Sequence, residues 1–338
     1  MLKSETALLI AGASIKDPSE FESLDDIAKN GNIKIPKRDS IYIDNCLKYI
    51  EKNGINIIDF YSDNYPQRLK EIEYPPVVLF VKGKFKETPL PIAIVGTRYP
   101  SGYGQRVAKY IIPYLVEAGF SVNSGMARGI DSLAHSITIK SKGYTIAVLG
   151  SGIDIIYPQE NKKLYEAIAQ SGCIMSEFPL GTPPNRYNFP RRNRIIAGLS
   201  KATIVIEADI RSGSLITARI TNEQSKPVFS VPGEIFSKRS KGTNRLISEG
   251  SFILTDIEDI LSYFYVELKR ESNALQTDKV YEATKEENAI LNAMEGRVSI
   301  DEIAYKTGMD IASLSEILFD LELKNIIKHT ESDTYEKI

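Results

Sequence analysis

The sequence predicts an α/β protein built on a doubly wound, mostly parallel sheet, with a small helical unit before it and a winged helix-turn-helix after it. Three observations carry that prediction. From Leu90 onward, short apolar runs such as "IAIVG", "FSVNSG", "TIAVLG", "CIMSEF", "TIVIEA" and "VFSVPG" alternate with helix-length segments. This order lays parallel strands between helices on both faces. The runs are nearly continuous in Val, Ile and Leu, as strands covered on both sides require. After residue 284, "EENAILNAME", "SIDEIAYKTG" and "DIASLSEILFDLELKN" place apolar residues at three- and four-residue spacing, and "IIKHTESDTYEKI" has the length of a small hairpin. Three helices and a hairpin compose a winged helix-turn-helix.

In chain order, residues 1–70 read as short helices. "DPSEFESLDDIAKNG" opens on Asp-Pro, and "RDSIYIDNCLKYIEKNG" closes on Asn-Gly, a good C-terminal cap. "INIIDFYSDNYPQRL" turns through Asn64 and Pro66, and "YPPVVLFVKG" is a strand entering the central unit, 71–266. The helical partners of the strands are "GYGQRVAKYIIPYLVEAG", "IDSLAHSITIKSKG", "QENKKLYEAIAQSG", "RNRIIAGLS" and "SLITARITNEQSK". The polar, weakly patterned stretch around 267–284 reads as a linker, and 285–338 is the last unit.

Composition narrows the function. At 338 residues the chain is expected to hold two or three domains. Its apolar runs are strand-length, far from the roughly 20 residues that span a bilayer. The opening "MLKSETALLIAGAS" is too short and too soon interrupted for a signal peptide. Cys46 and Cys173 lie far apart, no CxxC occurs, and there are 2 His. A disulfide framework and a zinc or His-based metal site are therefore not expected; a reducing cytoplasm is, with no membrane and no cofactor. The net charge of -2 hides an asymmetry: 20 Lys and Arg against 11 Asp and Glu over 92–254, but 6 against 12 over 285–338. A basic middle is the footprint of a polyanion partner, although metabolite-binding folds also drift basic.

In a doubly wound sheet, ligands bind beyond the carboxyl ends of the strands. There the sequence places "GTRYPSGYG", "SGMARGID", "GSGIDIIYPQEN", "FPRRNRIIAGLS" and "EADIRSGS". Glycine lets backbone N–H groups approach a ligand, helix N-termini attract anions, and Arg adds bidentate phosphate contacts. Together these loops suggest an extended polyanion groove. A dinucleotide fingerprint fails, since "GTRYPSGYGQRV" is not GxGxxG, and no GxxxxGK[ST] occurs. Each reading has a structural counterpart. The glycines serve tight turns, Arg128 pairs with Asp131, Arg191 or Arg194 pairs with an acid such as Glu207, and Phe189 belongs to the core. Glu177, Glu207 and Asp209 lie at strand ends without a metal motif, and His135 reads as a helix-packing residue rather than a catalyst.

Taken in order, "VGTRYPSGYG", "SGMARGIDSLAH", "LGSGIDIIYPQEN", "FPRRNRIIAGLS", "RSGSLITAR", "VPG" and "GTNRLISEG" resemble the DNA-processing protein A (DprA/Smf) family across about 90–255. "YPQRLKEIEYPPVVLFVKG" resembles the family's lead-in, and "SIDEIAYKTGMDIASLSEILFDLELKNII" its winged-helix extension. The resemblance implies a Rossmann-like core preceded by a helical unit of the SAM or helix-hairpin-helix kind. It implies a homodimer that binds single-stranded DNA and loads the RecA recombinase in natural transformation, without catalytic turnover. The family's phosphate loop falls on Gly96, Thr97 and Arg98, its upstream basic position on Arg186, and its base-stacking aromatic on Phe189. Arg186 and Arg192 would then clamp phosphates, with Gly125, Arg128 and Asn193 completing the DNA-binding set. A second reading, a nucleotide-processing enzyme on the related fold of cytokinin-type phosphoribohydrolases, lacks here the Pro-Gly-Gly-x-Gly-Thr loop of that class.

Overall fold

A computed structural model describes residues 3–13, 15–30, 40–266, 284–294, 296–323, 326–330 and 334–337. The chain divides into two compact units, Met1–Lys269 and Arg270–Ile338. The expected linker lies outside the described residues apart from Thr284.

The first unit begins with α1 (Lys3–Ile10), α2 (Leu24–Asn30), α3 (Ser40–Lys52), β1 (Ile55–Asp59) and α4 (Gln67–Lys70). Then follow β2 (Val78–Gly83), β3 (Leu90–Gly96), α5 (Gly102–Glu117), β4 (Phe120–Ser124), α6 (Ile130–Lys140), β5 (Thr145–Val148), α7 (Lys162–Ser171) and β6 (Cys173–Ser176). The second half of the winding is α8 (Asn188–Leu199), β7 (Ala202–Ile206), α9 (Gly213–Glu223), β8 (Val228–Ser230), α10 (Lys241–Ser248), β9 (Phe252–Ile253) and α11 (Glu258–Tyr263). The strands form one sheet in the order β1-β2-β6-β5-β4-β3-β7-β8-β9. Pairings from β6 through β9 are parallel, whereas β2 runs antiparallel to both β1 and β6. The winding steps from β3 to β4, β5 and β6 on one side, then returns to place β7 on the other. The reversal between β3 and β7 is the switch point, where a doubly wound sheet opens its crevice.

The faces follow from side-chain alternation. In β3, Ile92 and Ile94 join the core beneath α5 and α6, while Ala93 and Val95 face the layer of α8 and α9. The helical start of the chain does not stand apart. Leu8 and Ile27 share one core with Ala147, Leu149 and Ile174 of the sheet region, each buried Leu or Ile among them contributing about 1.5–3 kcal/mol of transfer free energy. Ile55–Asp59, expected within a helical segment, is instead an edge strand paired with β2. Its alternation is too short to read alone.

The second unit holds α12 (Lys285–Ala293), β10 (Val298–Ser299), α13 (Ile300–Thr307), α14 (Ile311–Leu323), β11 (Ile327–His329) and β12 (Thr334–Lys337). Thr284 with Glu287 and Ser299 with Glu302 form capping boxes at α12 and α13, and Gly308 closes α13 in the left-handed region. Ile290, Ile303, Leu314, Leu318, Leu321 and Ile327 form its core. The strands order as β10-β12-β11, giving the winged helix with β11 and β12 as the expected hairpin.

Candidate nucleic-acid interface

The switch point carries a cleft of about 480 Å³. Its near wall is the loop after β3. Gly96 is needed where β3 and β7 converge, since a Cβ there would collide with the Ile206 carbonyl oxygen. Thr97 N–H then donates to the Glu207 carbonyl oxygen at 2.8 Å. Arg98 follows, exposed and without an ion-pair partner among the described residues. The far wall is Asp209, Arg211, Ser212 and the first turn of α9, where Ser212 Oγ accepts from Ser214 N–H. Phe189, in the first turn of α8, lines this cleft and also a second pocket of about 50 Å³ beside it. That pocket is closed by Tyr99, Arg128, Gly150 and Tyr157. The Phe189 ring lies 5.9 Å from the Tyr157 ring, with the Arg98 guanidinium 5.8 Å away. Phe189 is therefore half-buried at a partition, held by Gly150 beneath it, rather than inside the core.

The arginines separate by depth. Arg192, whose expected role is a phosphate clamp, is instead 4% exposed, and its Nη1 donates to the Gly125 carbonyl at 2.7 Å and to the Val148 carbonyl. Its Nε donates to Asn193 Oδ1 at 3.2 Å. Burial pulls its pKa down to about 10, partly opposed by Asp131, so it remains a cation at neutral pH in the cleft floor. Gly125 is the counterpart, since a Cβ there would meet the Arg192 guanidinium at 2.5 Å. Asp131 is buried beside it, and burial raises its pKa while Arg192 lowers it. The predicted partner of Arg128 is also corrected: Arg128 forms a bidentate pair with Glu160, at 2.7 and 2.6 Å, rather than with Asp131. Exposed pairs of this kind are weak and exchange readily for another anion. Arg191 and Arg194 pair with Glu177, at 3.1 and 2.5 Å, rather than with Glu207. Arg186 is exposed on the loop before α8, donates to the Tyr187 hydroxyl at 2.6 Å, and lines neither pocket. Of the predicted set, Gly96, Thr97, Arg98, Phe189, Arg192 and Asn193 meet in the cleft, with Gly125 and Arg128 in the adjoining pocket.

Sequence reasoning counts the loops that hold Tyr99, Tyr157, Arg211 and Ser212 among the groove loops but leaves these residues out of the DNA-binding set; the two tyrosines are 67% and 44% exposed. Both tyrosines precede proline in strand-exit loops, and exposed aromatics among cations are the signal of a stacking surface. His135 is fully buried, as a packing residue should be. Thr145 gives its hydroxyl proton to the Val122 carbonyl, so His135 Nδ1–H donates to Thr145 Oγ1 at 2.7 Å. Among the described residues there is no cluster of His, Cys, Asp and Glu fit for a metal, and no helix long and apolar enough to cross a membrane.

The family described as DNA recombination-mediator protein A matches residues 56–265, and the DprA winged helix domain matches 276–330. Protein Smf of Escherichia coli (strain K12) is 36% identical over 288 residues, covering 83% of this chain and 77% of that protein. The DNA processing protein DprA of Bacillus subtilis is 42% identical over 211 residues, covering 62% of this chain and 71% of that one. The X-ray structure of DNA processing protein A from Streptococcus pneumoniae aligns with a TM-score of 0.65 at 32% identity, covering 78% of this chain and 98% of its own. DNA processing protein A from Helicobacter pylori, whose structure is described for its single-stranded DNA binding mode, aligns at 0.57 and 31% identity, covering 62% of this chain and 95% of its own. By its fold, its ordered loops and these matches, the chain belongs to the DNA recombination-mediator protein A family.

Proposed function

We propose that this protein binds single-stranded DNA across the carboxyl edge of its sheet. The observation that carries the reading is Phe189, a half-exposed ring between two pockets, with Arg98 over one side and Tyr99, Tyr157 and Arg128 around the other. A flexible strand can thread this partition and lay an unstacked base on Phe189. Such stacking is worth about 1–3 kcal/mol per base. Arg98 and Arg186 take phosphates from the surface, while the buried charge of Arg192 attracts from below. The described binding mode of the Helicobacter pylori relative supports the reading. In keeping with the family resemblance, the protein acts as a cytoplasmic homodimer that protects the strand and delivers it to RecA during transformation, without turnover of its own. The deciding experiment is a salt titration of oligo-dT against duplex DNA of equal length, beside an AMP hydrolysis assay. Selective, salt-sensitive binding of oligo-dT without hydrolysis is expected. Hydrolysis of AMP with no strand binding would reverse the assignment.

A further inference from the structure

In doubly wound folds the first strand-to-helix turn at the switch point normally offers its helix N-terminus to a phosphate. Here α5 is the helix that follows β3, 16 residues long with Ser101 as its N-terminal cap, and its N-terminus is already taken. Glu207, the residue after β7, is 4% exposed. Its Oε2 accepts from Ser101 N–H at 2.8 Å, and its Oε1 accepts from Ser101 Oγ at 2.5 Å. The carboxylate lies so close over the first turn that a Cβ on Gly104 would collide with Oε2. Glu207 also holds a left-handed backbone, φ 52°, a conformation that a side chain with a Cβ keeps only where its surroundings enforce it. Its carbonyl oxygen accepts from Thr97 N–H at 2.8 Å. One residue thus grips both ends of the loop 97–101. Arg239 Nε adds a tether in the middle, donating to the Tyr99 carbonyl at 2.7 Å.

We infer that Glu207 is a built-in substitute for phosphate: its carboxylate fills the N-terminus of α5, closes that seat to anionic ligands, and by the same bonds positions Arg98 and Tyr99 along the cleft. Glu207 is a positioning and specificity-determining residue that touches no ligand itself. The physical basis is charge complementarity. A helix N-terminus stabilises a nearby anion whatever its source, and a tethered carboxylate outcompetes a diffusing phosphate. Anions are then left with Arg98 and the far wall of the cleft. The inference rests on the single-strand reading for its consequence, but not for the loop geometry.

The test uses the full chain, with circular dichroism to establish folding. The chain has no Trp, so Tyr99→Trp makes a single fluorescent reporter of the loop. In that background Glu207→Ala is expected to lower the tryptophan anisotropy, Glu207→Gln to retain it, and inorganic phosphate to restore order in Glu207→Ala by filling the vacated seat. Unchanged anisotropy in Glu207→Ala overturns the positioning role, and absence of phosphate rescue overturns the anion seat. In the native background, Glu207→Ala is expected to weaken oligo-dT binding about tenfold and to lower the slope of log affinity against log salt by about 0.7, one lost phosphate contact. Glu207→Gln restores both. Wild-type affinity and slope in Glu207→Ala, or equal loss in both variants with an unchanged slope, overturns the proposal. Should Glu207→Ala not fold, Ser101→Ala removes the hydroxyl bond and leaves the Ser101 N–H bond in place, so a partial loss of oligo-dT affinity is expected there, and native affinity together with a native slope overturns the proposal. If the native chain itself ignores oligo-dT, the functional reading fails while the fluorescence experiment still decides the loop.

Discussion

Arg98 and Arg192 carry the same guanidinium at opposite depths, and depth decides what each can do. Arg192 spends its donors on the Gly125 and Val148 carbonyls and contributes a fixed charge. Arg98 and Arg186 keep exposed heads, so their charge can be reversed without unfolding the chain. Arg98→Glu and Arg186→Glu are each expected to weaken oligo-dT binding at least about tenfold, on the order of 1.4 kcal/mol. Circular dichroism should remain unchanged, and full affinity in either variant would displace the groove. His135 makes a prediction of a different kind. Burial depresses its pKa to about 3, and its Nε2 has no partner among the described residues. The unfolded chain therefore takes up a proton below about 6.5 that the folded chain refuses. Stability from this residue is complete above about pH 6.5 and falls by up to about 1.4 kcal/mol per pH unit as the pH drops toward 3. Denaturant titrations of His135→Gln at about pH 7, 5.5 and 4.5 should show a shallower acid loss than the native chain.

At the scale of an element, α8 shows how one basic run is divided among separate tasks. Its first turn presents Phe189, and Arg192 points into the floor of the cleft. Arg191 and Arg194 anchor it to buried Glu177, and Arg191 also donates to the Gly12 carbonyl at 2.7 Å. At the other end Lys226 Nζ donates to the Ala197 and Gly198 carbonyls, both at 2.9 Å, and burial lowers its pKa to about 8. Glu177 is 1% exposed on its side chain, and removing one member of a buried ion pair strands the other charges. Glu177→Ala should destabilise the fold by about 3–5 kcal/mol in urea or guanidinium denaturation. Glu177→Gln should cost less, because the amide oxygen still accepts one bond. Equal stability of all three proteins would show that the cluster is solvated.

For the whole molecule, charge is partitioned between the two units. The winged helix carries 6 Lys and Arg against 12 Asp and Glu over 285–338, whereas helix-turn-helix readers of DNA meet phosphates with cations. A chain ending at Glu271 should keep most of its oligo-dT affinity; a loss beyond about tenfold, roughly 1.4 kcal/mol, would make the winged helix part of the DNA site. The surface expected to pair two copies lies in the first unit. Ile235 and Phe236 are 72% and 89% exposed, with Phe252 and Ile253 of edge strand β9 also exposed. Apolar surface at a sheet edge suits a two-fold pair. Sedimentation at tens of micromolar is expected to show a dimer, since a micromolar dissociation constant corresponds to about 8 kcal/mol. Phe236→Asp should give a monomer, and a strictly monomeric native chain would remove the dimer from the reading.

The alternation of strand and helix from Leu90 to Gly233, the three-helix pattern of the last unit and the Gly/Arg loops at the strand ends were all legible in the sequence. Those features are local: side-chain period, turn chemistry and chain order are written residue by residue. Burial and partner choice are not. Arg128, Arg191 and Arg194 found Glu160 and Glu177, acids that no spacing singles out, because ion pairing depends on which loops the sheet brings side by side. β1 reads as part of a helical start until β2 supplies its hydrogen-bonding neighbour. So short a segment has too little pattern of its own to declare a strand. Tyr99 and Tyr157, far apart in the chain, became one pocket only when β3 and β5 placed their exit loops on the same edge around Phe189. The sequence by itself determined the fold class, which follows from periodicity, and which Gly/Arg loops gather at the carboxyl edge, which follows from chain order. Which arginine stays free, which is buried, and which carboxylate occupies the helix N-terminus were decided only by tertiary structure, because desolvation and proximity exist only once the chain has closed on itself.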